Sequence, residues 1–140
     1  MPDLMTDDLN GLSDLDLDAV VAEEVMGAYR EPDPLHGWRW FYYGKEGGWT
    51  WTTRKFSTDP IASYQLKQEM RRQGWTLTIW LYVTGHTRVS VACPFGPCER
   101  HGNTSNNWHG VEAVAADELR AIAIASVRAV RAVRAQKEKT

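Results

Sequence analysis

The chain has 140 residues, 43% of them hydrophobic and 24% charged, and a net charge of −2, which predicts one folded domain with a sizeable core. It contains no run of about eighteen apolar residues, so a transmembrane helix is excluded on length and no membrane partner is expected. The acidic N-terminus lacks the basic and apolar segments of a signal peptide, and two cysteines are few for a disulfide framework, so we expect a cytoplasmic protein.

Charge is unevenly distributed along the chain. Residues 1–33 carry a net charge of −9, and residues 34–140 carry +7. The favoured interpretation is that Asp14, Asp16 and Asp18 solvate the start of the chain and stabilise the positive end of a first helix. The alternative is an acidic face that mimics nucleic acid or docks on a basic partner.

The first half of the chain predicts a leader, a helix and two strands. Residues 1–13 lack hydrophobic periodicity and are expected to form a flexible acidic leader, ahead of a single domain at 14–136 and a basic tail at 137–140. The first helix is predicted over residues 14–26 and is followed by a loop at 30–37. Two aromatic strands are then predicted at 38–43 and 49–53, joined by a glycine-rich turn at 44–48.

The second half predicts two helices around a second pair of strands. Pro60 suits the first position of a helix that ends at Gly74, with Asp59 as its cap. Strict alternation predicts a strand at 75–83 whose inward residues include Leu77, Ile79 and Leu81. The chain is then expected to form a strand at 88–92, an irregular loop at 93–110 and a third helix at 115–135.

The resulting order, α-β-β-α-β-β-α, predicts the fold class. It indicates an α/β (α+β) sandwich in which a four-stranded, mainly antiparallel sheet has helices packed on both faces.

Three segments resemble the sequence patterns of a small phage-encoded family, the phage ABA-sandwich domain. They are VAEEVMG at residues 21–27, FSTD at 56–59 and AIAIASV at 121–127, in that order. Tyr64 stands where the family often has an aromatic residue, whereas Ala123 and Ile124 replace its usual Cys and Arg. The resemblance implies helices on both sides of a sheet, a phage origin and the cytoplasm of an infected bacterial host. It implies no established activity.

A possible metal-binding group lies in the irregular loop. Cys93, Cys98, His101 and His109 follow the spacing C-x4-C-x2-H-x7-H, and two thiolates with two imidazoles form a valid tetrahedral zinc set. A metal would also order an unusually long irregular segment. Because the spacing is not that of a common zinc finger, the favoured interpretation is two free thiols and no cofactor. A zinc site and a redox pair of the cysteines are the alternatives.

The predicted strands are rich in large aromatic residues. They form a candidate binding surface, with Arg39 and Arg54 nearby for phosphates, and the set comprises Trp38, Trp40, Tyr42, Trp49, Trp51, Trp80 and Tyr82. The favoured interpretation places most of them in the core under the first helix. That helix has too little apolar surface to cover them all, so at least one Trp or Tyr is expected to be partly exposed near Arg39 or Arg54.

The last helix carries a basic stripe. Arg128, Arg131 and Arg134 are three residues apart and could contact nucleic acid phosphates or an acidic protein. The favoured interpretation is the solvated face of a terminal helix, whose dipole these cations complement.

The sequence contains no complete nucleophile elbow, phosphate loop, zinc-protease or dinucleotide motif. We therefore predict a non-enzymatic phage accessory protein that binds and inhibits a host protein, such as a component of an antiviral defence system, in the manner of an anti-CRISPR protein. One alternative is a protein that sequesters a small nucleotide signal. Another is a metal-dependent enzyme built on the Cys/His loop. A nucleic acid partner is less favoured than either a host protein or a nucleotide.

Overall fold

The computed structural model describes residues 8–33, 35, 37–43, 49–51, 54–105 and 107–138, with residues 30–33, 37–43 and 49–51 described by their backbone. Among these residues, three helices alternate with two groups of three strands. The helices are α1 (Asp14–Val20), α2 (Pro60–Arg72) and α3 (Glu118–Glu138). The strands are β1 (Tyr29–Asp33), β2 (Gly37–Tyr43), β3 (Trp49–Trp51), β4 (Thr76–Leu81), β5 (Thr87–Cys93) and β6 (His109–Ala115).

The chain is ordered before the first helix begins. A short 3-10 turn covers Asp8–Gly11, and Leu9 is buried in the core. The side chain of Ser13 then caps α1 by accepting a hydrogen bond from the Asp16 amide at 3.1 Å. The predicted flexible leader at 1–13 is therefore too long, because a buried leucine and a helix cap fix its last residues.

Helix α1 continues into a π-helical turn at Val21–Val25. Gly27 has a φ of 67°, and the amide of Ala28 donates to the carbonyl of Ala22 at 2.8 Å. This left-handed glycine ends the helical segment close to the predicted boundary.

The acidic first segment pairs with bases of α3. Arg120 Nη1 lies 2.9 Å from Asp14 Oδ1. Arg131 contacts both carboxylate oxygens of Glu24, at 2.9 and 2.8 Å, and Arg134 lies 3.7 Å from the same side chain. The opposite charges of the two parts of the sequence therefore meet within the molecule.

The segment before α2 joins this helix to α1. Phe56 is fully buried, and both the amide and the hydroxyl of Ser57 donate to Asp18 Oδ1, at 2.8 and 2.7 Å. Asp59 Oδ1 accepts from the Ile61 amide at 3.0 Å, which confirms the predicted cap and the start of α2 at Pro60.

The first three strands form an antiparallel sheet in the order β1-β2-β3. Strands β2 and β3 confirm the two predicted aromatic strands, whereas the predicted turn at 44–48 lies outside the described residues. Strand β1 occupies part of the predicted loop at 30–37. Its Pro32 suggested a loop, but β1 is an edge strand, where proline is tolerated.

The second antiparallel sheet has the order β4-β5-β6, with β5 in the centre. Strand β6 was not predicted. Its residues were assigned partly to the irregular loop and partly to the third helix, so α3 begins later than expected and reaches Glu138, inside the predicted basic tail.

Helix α3 lies between the second sheet and the other helices. Every residue from 121 to 127 is buried, and a helix that is buried all round must have neighbours on all sides. It packs on β5 and β6 and also contacts α1, the π-helical turn and α2. The predicted four-stranded sheet with helices on both faces is therefore wrong in detail, although the mixed α+β class is correct.

The alternation predicted for β4 is correct for most of the strand. Leu77 and Ile79 are half-buried and pack on the core, whereas Thr76 and Thr78 are exposed. Leu81 is 70% exposed and was wrongly assigned to the core, because it lies at the end of an edge strand. Over the part of the chain that the structure describes, we find no helix with the length and apolar character needed to cross a membrane.

The buried Asp18 carboxylate gives the fold a measurable pH dependence. Burial raises its pKa above 3.8, and the hydrogen bonds from Ser57 oppose this only in part. A carboxyl whose pKa is raised on folding stabilises the native state below its unfolded pKa, and that stabilisation is lost as the pH rises through the folded value. We expect the free energy of unfolding of the wild type, minus that of Asp18→Asn, to fall as the pH rises above 3.8. Urea unfolding of both proteins between about pH 3 and pH 7 measures this difference, and a flat or rising difference would contradict it.

Candidate metal centre

Four side chains predicted from the sequence as possible ligands come together at one end of the second sheet. The ligand atoms of Cys93, Cys98, His101 and His109 all lie within 4.8 Å of one another, so the group could hold a metal ion. Cys93 and His101 are buried, and the other two are half-buried.

Two of the ligands are brought together by strand pairing. Cys93 is the last residue of β5 and lies opposite His109, the first residue of β6. The strands approach closely beside them, since a Cβ on Gly110 would lie 2.5 Å from the Val91 carbonyl oxygen. Glycine at this position therefore permits the pairing that places a thiol and an imidazole side by side.

A tight turn positions the other two ligands. The amide of Cys98 donates to the carbonyl of Asn103 at 2.8 Å, and the amide of Asn103 donates back at 2.9 Å. Gly102 has a φ of 72°, a conformation that favours glycine. The closed turn places Cys98 Sγ 3.5 Å from His101 Nδ1.

Two separations between ligand atoms are close to those of a tetrahedral zinc site. Bond lengths of about 2.3 Å to sulfur and about 2.0 Å to nitrogen imply separations of ~3.8 Å between two sulfurs, ~3.5 Å between sulfur and nitrogen and ~3.3 Å between two nitrogens. The two sulfurs are 4.0 Å apart, and Cys98 Sγ is 3.5 Å from His101 Nδ1. The imidazole nitrogens are only 2.7 Å apart, as in a hydrogen bond, and would separate slightly around a shared ion.

Hydrogen bonds orient the two imidazole rings. His101 Nε2 lies 2.8 Å from the carbonyl oxygen of Gln73, which can only accept, so this nitrogen carries the proton and Nδ1 faces the cluster with its lone pair. Asn103 Nδ2 donates to His109 Nδ1 at 3.0 Å, so the proton of this ring lies on Nε2, is donated to His101 Nδ1, and would have to leave Nε2 for a metal to bind there. Such outer partners fix the orientation of metal-binding histidines.

Burial affects the protonation of the ligands. It lowers the pKa of His101 and of His109, which favours the neutral imidazoles that metals require. It raises the pKa of the Cys93 thiol, which favours the protonated form, so a metal must displace that proton to bind. Both cysteines are free thiols, and the predicted redox pair stays a prediction.

Trp75 covers the imidazole pair from one side. Its ring stacks on His101 with centroids 3.8 Å apart and planes 12° apart, and it meets His109 edge-on at 5.6 Å. Trp75 is itself buried, so it excludes water and restricts both rings.

The predicted aromatic surface is only partly described. Trp80 and Tyr82 are each 39% exposed, which agrees with the expectation of partly exposed aromatic residues. The cation above Trp80 is Arg88, 4.7 Å from the ring centroid, rather than Arg39 or Arg54. The other members of the set lie outside the described side chains, as does Arg39: Trp38, Trp40, Tyr42, Trp49 and Trp51.

The predicted basic stripe contacts the protein itself. Arg128 Nη1 donates to the carbonyl oxygen of Glu112 at 2.9 Å. Arg131 and Arg134 face the Glu24 carboxylate, as described above. The stripe was interpreted as a solvated helix face, and these contacts with other parts of the protein were not predicted. Its role toward nucleic acid stays a prediction.

Sequence reasoning missed several residues around the cluster. Trp75 was assigned only to a strand, Asn103 only to a turn, and Gly110 to an irregular loop. Phe95 and Trp108, beside the ligands, are 71% and 73% exposed. The sequence after His109 carries only a weak signal for β6, because Val114 is apolar although it is exposed, which breaks the alternation of apolar and polar residues.

Comparisons with known proteins assign no family to the chain: no protein-family model matches it, and no curated protein or solved structure is significantly similar to it. The resemblance to the phage ABA-sandwich domain therefore stays a prediction.

The close approach at Gly110 can be tested by adding a single methyl group. We expect Gly110→Ala to lower the free energy of unfolding by about 1–3 kcal/mol, because its Cβ would meet the Val91 backbone at 2.5 Å. Gly11→Ala is the matched control, since nothing lies within 4 Å of its Cβ, and it should change stability by less than about 0.5 kcal/mol. Urea unfolding of both variants checks this, and equal stabilities would contradict the pairing described for β5 and β6.

Proposed function

We propose that Cys93, Cys98, His101 and His109 bind one structural zinc ion, and that the protein is a non-enzymatic binding protein that uses the zinc-held loop for recognition. The observation that carries the proposal is the convergence of the four ligand atoms within 4.8 Å.

The donor set favours zinc over other common metals. Two sulfurs and two imidazole nitrogens suit a tetrahedral ion of borderline softness, whereas calcium and magnesium prefer oxygen ligands in larger coordination shells. The two thiolates would balance the charge of Zn²⁺, and the two imidazoles are neutral. The zinc complex would therefore have no net charge, which suits a half-buried site.

The number of ligands supports a structural role. Catalytic zinc usually has three protein ligands and keeps a fourth position for water or substrate. Here four side chains complete the tetrahedron, and Cys93 and His101 are almost fully buried. A metal-dependent enzyme is therefore less well supported than a structural zinc protein.

The role proposed for zinc is to order the segment between β5 and β6. Apart from one isolated bridge between Cys98 and Asn103, this segment has no regular secondary structure among its described residues. Zinc would join the end of β5, the turn and the start of β6 by four bonds. In small domains such bonds replace part of a hydrophobic core.

The same segment presents an exposed aromatic pair. Phe95 lies between the two cysteines in sequence, and Trp108 precedes His109, and both are largely exposed. Cys93 and His109 are cross-strand partners, so the two aromatic residues extend from the same end of the sheet. Exposed aromatics on a rigid support are typical of protein-binding surfaces. A host protein as the partner is an extension of the proposal that rests on the phage resemblance.

The zinc proposal predicts metal content. Protein purified from zinc-supplemented cells should contain one zinc per chain by mass spectrometry. His109→Ala and Cys98→Ser should lose it, because three remaining ligands bind far more weakly. His86→Ala is the matched control: this histidine stacks on Tyr82 outside the cluster and should leave the zinc content unchanged.

Cobalt substitution tests the metal site in the wild-type protein, so it does not depend on whether the variants fold. Wild-type protein loaded with Co²⁺ should show the intense ligand-field bands of a tetrahedral thiolate site. Wild type without stoichiometric zinc and without these bands, or loss of zinc from His86→Ala, would contradict the proposal.

The recognition surface can be tested separately. Phe95→Ala with Trp108→Ala should abolish capture of a protein partner from host lysate, since central aromatic contacts each contribute about 2 kcal/mol or more. The melting temperature should be nearly unchanged, because both side chains are exposed. Tyr64→Ala, on the exposed side of α2, is the control. A partner that the double variant binds as well as the wild type does would place the binding surface elsewhere.

A further inference from the structure

A cavity of about 260 Å³ lies beside the metal cluster. It is bounded by the last turns of α2 and α3 and by the turn from Cys98 to Asn103. Three cations line it, Arg72, Arg100 and Lys137, together with an apolar wall that includes Trp75, Val130 and Val133. No carboxylate is among its described lining residues.

Two of the three cations have a structural explanation. Arg72 and Lys137 lie in the last turns of their helices, where positive charge complements the helix dipole. Arg72 also donates to Glu69, at 2.6 Å from Nη2. Their positions alone would not indicate a ligand.

Arg100 has neither explanation. It lies on the turn rather than at a helix end, it is exposed, and it has no carboxylate partner among the described residues. Its side chain lies against Gly74, where an added Cβ would be 2.7 Å from Nη1. Lys137 reaches the same turn from α3, since its Cγ would be 3.2 Å from a Cβ on Gly102.

The positive charges of these side chains act at one place. Arg100, Lys137 and His101 line the same cavity, so both cations lie near this ring at the cavity wall. With Arg72 they place three positive charges around a cavity whose described lining contains no carboxylate, and an anion in the cavity would be attracted by them.

The shape and the apolar wall narrow the class of anion. The cavity is smaller than most drug-sized pockets, and the valines and Trp75 offer contacts that an inorganic ion cannot use. A small organic molecule with one phosphate group combines both features. Arginine and lysine are the residues that proteins use to bind such groups.

We propose that this cavity binds a small phosphate monoester, with Arg100 and Lys137 contacting the phosphate and the valine wall contacting its organic part. The site goes beyond the zinc proposal, because neither cation is a metal ligand and the turn that carries Arg100 is closed by backbone hydrogen bonds.

The test is calorimetric titration of the purified protein at low salt with phenyl phosphate and with inorganic phosphate. We expect saturable 1:1 binding, tighter for phenyl phosphate. Arg100→Gln and Lys137→Gln should each weaken it by about tenfold or more, as loss of a charge-assisted hydrogen bond predicts. Arg71→Gln removes the same charge from an exposed position of α2 outside the cavity and should change affinity by less than about twofold.

Three results would overturn the proposal. They are the absence of saturable binding, an equal loss in Arg71→Gln, and much tighter binding of a 5′-phosphorylated oligonucleotide than of phenyl phosphate, which would indicate a nucleic acid site. Zinc content is measured before and after titration. A protein that binds phenyl phosphate but contains no zinc would refute the metal proposal alone. A protein that contains zinc but does not bind phenyl phosphate would refute the proposal of a phosphate site alone.

Discussion

The pairing of β5 with β6 is the constraint on which the candidate site depends. It places Cys93 opposite His109, and it needs glycine at position 110 because the neighbouring strand leaves no space for a side chain. Once these two ligands are fixed, the short turn between Cys98 and Asn103 has only to fold back over them to complete the set. Trp75, from the segment between α2 and β4, then covers the rings. A metal ion at this point would join the end of β5, the turn and the start of β6.

The opposite charges of the two parts of the chain pair with each other away from the candidate metal site. Glu24 and Asp14 meet arginines of α3, so the acidic first segment is attached to the helix that packs on the sheet. Surface ion pairs contribute little individually, about 0–1 kcal/mol. Their value here is to fix how α1 lies against a helix buried on all sides. Arg100, near the metal cluster, has no such partner among the described residues, and it lies in the wall of the cavity that we propose binds an anion.

Local signals in the sequence predicted part of this structure. The Asp59–Pro60 start of α2 and the alternation through Leu77 and Ile79 are local, and both predictions were correct in the structure. Strand β6 was missed because glycine and alanine mask its alternation, and its β character comes from pairing with β5. The four possible ligands were identified by residue type, but free thiols were favoured, since spacing along a chain does not reveal a cross-strand pair. The aromatic strands were predicted correctly as strands, whereas the role of their side chains stays a prediction.

The central claim is that two sulfurs and two imidazole nitrogens coordinate one zinc ion. X-ray absorption spectroscopy at the zinc edge of the purified protein tests it most directly. We expect a shell of two sulfur atoms at about 2.3 Å and two nitrogen atoms at about 2.0 Å, with the multiple scattering of histidine rings. A shell of five or six oxygen and nitrogen atoms without sulfur would contradict it.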